Sequence, residues 1–169
     1  MTNRKAIGAL LLIFLFLAGA AGGAGGQEDR AQLLARQKQL TAKIEKLTRE
    51  QDFLLFQKTM CASDSKYLLI NAASKTGQLK YRNRVLKDFR FASSAGAGRL
   101  KQGMVRVTRK IEESKKRDAL LFGDSLVLLG AQAPKEPLAR GVPRIRLSKK
   151  DFLSVFYAVE IGSLAYVLR

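Results

Sequence analysis

The groups in this chain that could carry out nucleophilic chemistry are few and scattered. A cysteine nucleophile works as a thiolate, and a neighbouring imidazole is the usual base that makes ionisation affordable near neutral pH. The sequence has one cysteine, Cys61, and no histidine. Asp, Glu or Lys would have to serve as the base instead, and no local grouping of them marks such a role. Ser148 is the other candidate nucleophile. Metal chemistry has no donor set: one thiol without imidazole gives no zinc spacing, and the carboxylates do not gather as a calcium loop requires. No cofactor is implied. An odd cysteine cannot build a disulfide framework within one chain. Cys61 is therefore expected as a small, partly buried apolar residue, with an intermolecular disulfide as the other reading.

The elements that must position these groups fall into three zones. Residues 1–20 open with Asn3-Arg4-Lys5, continue uncharged and apolar from Ala6, and end on Ala18-Gly19-Ala20, the pattern of a cleavable secretory signal peptide. The apolar run is shorter than the ~20 residues of a spanning helix, so membrane contact is expected only during export. Residues 21–27 are a glycine-rich linker. From 28 to 60 the composition favours helix, with Leu33, Leu40, Leu47 and Leu54 at sevenfold spacing. With these leucines at d, the a positions hold Gln37, Ile44 and Gln51. The stretch 28–56 reads as a short coiled coil for a homo-oligomer or a partner helix. The alternative is packing on the chain's own β domain through Phe53, Leu54, Leu55 and Phe56.

Residues 64–169 read as mainly β with helices. Lys66–Gly98 is a strand, a turn at Lys75-Thr76-Gly77 and a second strand. Met104–Ile111 alternates apolar Val105 and Val107 with polar neighbours, which predicts one strand with a wet face. Ala119–Phe122 and Ser125–Leu129 flank a Gly123-Asp124 turn and form a largely buried hairpin. The prolines at 134, 137 and 143 make 131–143 an irregular loop. Phe152, Val155, Phe156 and Val159 recur at helical spacing and are assigned to the core.

Gly141–Leu168, GVPRIRLSKKDFLSVFYAVEIGSLAYVL, resembles the catalytic corner of the L,D-transpeptidases, cell-wall enzymes of the YkuD type. Their corner reads S-x-G-C followed by I-R-L-S, an amphipathic helix, and V-x-x-G-T before the closing strand. Ile145-Arg146-Leu147-Ser148 fits, as do the helix from Lys149 and the Gly162-Ser163 turn. The resemblance puts Gly141 at the serine, Pro143 at the glycine and Arg144 at the nucleophilic cysteine. Leu129 falls at the catalytic histidine, before Gly130, and Arg146 at an arginine of the substrate cleft. Upstream, Leu100-Lys101-Gln102-Gly103 keeps only the glycine of the family's T-P-x-G.

The resemblance thus implies an α+β, L,D-transpeptidase-like β-sandwich or barrel with no catalytic residues. Leu129, Gly130, Gly141, Arg144 and Arg146 would outline a degenerate cleft. Three functions stay open. The first is a secreted or periplasmic protein that binds peptidoglycan or an envelope protein. The second is a transpeptidase or carboxypeptidase using Cys61 or Ser148. The third is a basic module for anionic lipid or polysaccharide, which the net charge of +17 would suit. Loss of residues 1–20 would remove only Arg4 and Lys5 from the basic residues. Nucleic acid is not expected: export separates it from the chain, and no aromatic-interleaved basic motif for stacking bases is present.

Overall fold

A computed structural model describes residues 25–93, 100–113, 118–130, 132, 134 and 138–169, without the side chains of 25–28, 92 and 93. The segment read as a signal peptide lies outside the described residues. Two helices and nine strands follow in chain order: α1 (Gly25–Ala62), β1 (Lys66–Asn71), β2 (Thr76–Tyr81), β3 (Arg84–Ser93), β4 (Gly103–Arg106), β5 (Arg109–Ile111), β6 (Ala119–Phe122), β7 (Leu126–Leu129), β8 (Arg144–Leu147), α2 (Lys149–Ala158) and β9 (Leu164–Leu168). The chain divides after Glu45 into two compact units. The first contains the α1 residues up to Glu45, whose described side chains are all exposed. The rest of α1 and all nine strands form the second, a mixed α+β unit on a curled sheet.

The sheet order is β4-β9-β1-β2-β3-β8-β7-β6-β5. The β1–β9 and β7–β8 pairs are parallel and the others antiparallel. Curling comes from two stretches of chain that serve both halves of the sheet. Residues 84–90 of β3 pair with β2, whereas Phe91–Ser93 pair with β8. Between β4 and β5, Val107 donates its N–H to Ser163 and accepts from Gly162, and the next amide, Thr108, donates to Leu121. Adjacent residues thus bond to opposite ends of the sheet. The alternation across 104–111 is real, but it spans two strands rather than the one predicted, because the hydrogen-bond partners change in the middle.

The first hairpin also differs from expectation. Lys66–Ser93 holds three strands, with a second turn at Arg82-Asn83. Lys75, at φ 55°, takes the left-handed position of the first turn. Gly77 lies inside β2, and its role is close approach: a Cβ there would sit 2.3 Å from the Phe89 ring. Glycine serves here because the opposing aromatic occupies the side-chain space.

Strand alternation divides the apolar side chains between faces. Leu68, Ile70, Leu120, Phe122, Leu126, Leu128, Ile145 and Leu147 turn inward, onto Phe152, Val155, Phe156 and Val159 of the α2 segment. Ser148 caps α2: its hydroxyl accepts from the Asp151 amide at 3.1 Å and donates to the Asp151 carboxylate at 2.8 Å. Lys110 Nζ closes the other end, donating to the carbonyls of Phe156 (2.5 Å) and Val159 (3.0 Å). On the opposite face, Tyr67, Leu69 and Tyr166 pack with Phe56 and Met60 of α1, and Phe53 stands against Tyr166. The docking face is therefore Phe53, Phe56 and Met60. Leu54 and Leu55 are exposed, since neighbours in a helix point about 100° apart and cannot all meet one surface. Cys61 is exposed rather than partly buried, because Met60 beside it takes the inward position.

Candidate functional site

The β7–β8 pair brings together most of the residues assigned to the cleft. Val127 stands opposite Arg144 and Leu129 opposite Arg146 in parallel register. All four occupy one face, with Leu129 and Arg144 two residues apart on adjacent strands. A base and a nucleophile at those positions would be neighbours. The side chains present do something else.

Leu129 is buried with Ile111, Ala119 and Val127, and Leu121, Leu138 and Val142 pack against this cluster. Both faces of β6 and β7 are thereby covered, which is why ALLF and LVLL are nearly continuous apolar runs. Leu138 and Val142 come from the segment before β8, and Arg144 holds that segment down. Its guanidinium donates to the carbonyls of Leu138 (3.4 Å) and Ala139 (3.5 Å). The amide of Val127 donates to Pro143 O at 2.9 Å. Gly141, at φ 81°, lies in this fold-over, where an L side chain would be strained. Arg146 is exposed on the same face as Leu129. Gly130 is buried, and a Cβ on it would lie 3.1 Å from the Phe152 ring. Its place is in the packing of α2. Around Leu129 and Arg144 the described residues present apolar filling and arginine-to-carbonyl bonds.

The two alternative nucleophiles lie outside this arrangement. Cys61 is at the end of α1. Ser148 has its hydroxyl engaged at the α2 cap, and its carboxylate partner is a poor base. Burial pushes Asp151 up, but hydrogen bonds from Lys87 and Ser148, with the charges of Lys87 and Lys150, hold it below the ordinary carboxylate range. Lys87 Nζ is 2.9 Å from that carboxylate. Among the described residues no three His, Cys, Asp or Glu side chains gather to hold a metal, and no helix is long and apolar enough to cross a membrane.

An open pocket of about 710 Å³ lies elsewhere, over β1, β2 and β3. Its polar lining includes Asn71, Thr76, Gln78, Asp88 and Arg90, with Leu69 and Leu168 as apolar floor. None of these residues stands out in the sequence. They become a group only through cross-strand register, which no local motif encodes.

No family model and no curated protein matches the chain. Among solved structures, it is similar to an L,D-transpeptidase from Xylanimonas cellulosilytica, with 17% identity over 62% of this chain and 61% of that one, at TM-score 0.45. L,D-transpeptidase 1 of Mycobacterium tuberculosis gives 13% identity over 63% of each chain, at TM-score 0.49. The catalytic domain of an E. faecium L,D-transpeptidase gives 12% identity over 63% of this chain and 98% of that one, also at 0.49. The chain spans about three-fifths of the length of the first two structures.

Proposed function

We propose that the chain is an exported cell-envelope protein that recognises peptidoglycan, or a protein attached to it, without processing it. The observation that carries this reading is the corner between β7 and β8. Ile145-Arg146-Leu147-Ser148 and the helix after them fit the motif of the cell-wall enzymes it resembles, while Leu129 is buried in the apolar cluster and Arg144 ties down the covering segment. The one cysteine of the sequence, Cys61, belongs to α1, and there is no histidine to serve as its usual base. The basic surface suits the carboxylates and phosphates of a bacterial envelope.

Co-sedimentation of the protein with purified sacculi at low and moderate salt, followed by mass analysis of the muropeptides, tests this. Binding that persists at moderate salt, with the muropeptide profile unchanged, is expected. New crosslinks or trimmed stems made by the purified protein would refute it. Binding that vanishes with modest salt would instead identify a general polyanion binder, because screening weakens exposed charge contacts.

A second reading rests on α1. Leu33, Leu40, Leu47 and Leu54 are each more than 60% or, for Leu40, 51% exposed, at sevenfold spacing with Ile44 among them. Such a stripe suits a partner helix or a second copy, and sedimentation equilibrium of the protein tests for self-association.

A further inference from the structure

The face of α1 that packs on the sheet and the face that carries the leucines are different. The heptad frame that places Leu33, Leu40, Leu47 and Leu54 at d places Phe53, Phe56 and Met60 at c and f, on the far side of the helix from the a/d seam. The sheet therefore leaves the seam open. Beside it, Leu34 and Leu55, both at e, are exposed as well. At g stand Arg36, Lys43, Glu50 and Gln57. Within its own helix Glu50 lies 3.9 Å from Lys46, at c, and both side chains are exposed.

The e and g positions select the partner and its direction. In a parallel pair of identical helices, Gln37 and Gln51 would each be buried against themselves, and Leu34 and Leu55 would lie beside the partner's Asp29 and the partner's Glu50. In an antiparallel pair a faces d, e faces e and g faces g. Setting Ile44 against the partner's Leu47 fixes every other position. Gln37 and Gln51 then stand against the partner's Leu54 and the partner's Leu40, so no two glutamines share a layer. Leu34 meets the partner's Leu55, and Lys43 meets the partner's Glu50, each twice by symmetry. Arg36 faces the partner's Gln57, so no like charges oppose each other at g. At the ends, Lys58 reaches the partner's Leu33 and Arg30 the partner's Cys61, where long side chains can turn their charge to water. Resting on the second reading above, that the leucine row takes another helix, we propose that α1 pairs with a second copy of this chain as an antiparallel two-helix coil centred between Ile44 and Leu47.

Cys61, the one cysteine of the sequence, is exposed and falls at d in the same frame, so it reports direction without any substitution. In the antiparallel coil the two Cys61 residues are about 46 Å apart, from a rise of about 1.5 Å per residue between positions 30 and 61. In a parallel coil they would face each other within reach of a disulfide. Sedimentation equilibrium of the full chain should show a dimer, and spin labels on Cys61 should report the long distance. Mild oxidation should leave the wild type uncrosslinked, whereas Arg30→Cys should give an interchain disulfide to the partner's Cys61. Glu50→Lys should weaken dimerisation by roughly 10-fold, because two attractive pairs become repulsive, and adding Lys43→Glu should restore it. Both positions are exposed, so unfolding of the sheet should not change. A monomer at every concentration would overturn the proposal and leave the row to a helix of another protein. Cys61 labels close together, or no rescue by the charge exchange, would overturn the antiparallel register while the second reading stands. A dimer that Leu47→Gln leaves intact would refute both, since the chains would then meet through another surface.

Discussion

Two arginines on the same sheet have been put to opposite uses. Arg144 lies at the β7–β8 corner and donates to the backbone of the segment that covers it, beside a leucine cluster that excludes solvent. Arg90 lies in an open pocket with its guanidinium unengaged among the described residues. The difference lies in what covers each strand. Beside β8 the chain folds back, so Arg144 finds carbonyls within its own loop. On β3 the row carrying Arg90 has only short polar neighbours, and its donors stay available. A position that a sequence motif singles out can therefore be closed over by its own chain, while a position with no motif stays open to solvent.

Breaking the closed corner should cost most. Leu129→Ala removes a buried side chain from a cluster that cannot fully collapse, and a loss of about 2–5 kcal/mol is expected in denaturant unfolding. Little change would mean that the cluster is loosely packed and the corner is not closed.

Gly77→Ala comes next. Its methyl would meet the Phe89 ring and the Leu69 carbonyl, the latter at 3.1 Å, so a destabilisation of about 1–3 kcal/mol is expected. A Phe89→Leu background should recover part of it, and simple addition of the two losses would show that the ring is not the obstacle.

The third effect is a pH dependence. The folded Asp151 carboxyl is held below its unfolded value, so the Lys87–Asp151 pair stabilises the fold above the ordinary carboxylate range. That contribution, about 1 kcal/mol for a partly exposed pair, is lost as pH falls through the lowered folded value. Asp151→Asn should flatten the acid limb of melting temperature against pH below about pH 4, where the unfolded carboxyl begins to titrate.

The smallest effects sharpen the comparison directly. Arg144→Ala removes two long hydrogen bonds and should cost about 1 kcal/mol in denaturant unfolding. Arg90→Gln, at an exposed position, should change stability by less than about 0.5 kcal/mol in the same measurement. If the two variants exchanged these phenotypes, the assignment of closed and open sites would be reversed.

Sequence pattern was a good guide wherever the determining contacts are local. Phe152, Val155 and Phe156 of α2 and its C-cap residue Val159 are buried as their spacing predicts, and the Gly123 turn lies between β6 and β7. The strand Leu164–Leu168 follows the Gly162-Ser163 turn, as the motif implies. What escaped was set by distant partners. Val105 and Val107 alternate without a break, and nothing in Met104–Ile111 announces that Val107 bonds to Gly162 and Ser163 while Thr108 bonds to Leu121. Leu54 and Leu55 are as apolar as Phe53 and Phe56, yet only helical phase against Tyr67 and Tyr166 selects which are buried. The pocket residues are polar, common in type and separated by turns, so no pattern could gather Asn71, Gln78, Asp88 and Arg90 before the register was known.

The order of the strands also bears on when this chain can become a protein. The last strand, β9, lies between β4 and β1 and is the neighbour that both require on that side. Until Leu164–Leu168 have been synthesised, β1 keeps an open edge, β4 has no strand to pair with, and the cluster around Tyr166 cannot assemble. Contacts this far apart in sequence form late and slowly. The local hairpins β1–β2 and β6–β7 can form without β9, but closing this side of the sheet is a single long-range step on which β1, β4 and the Tyr166 cluster all wait.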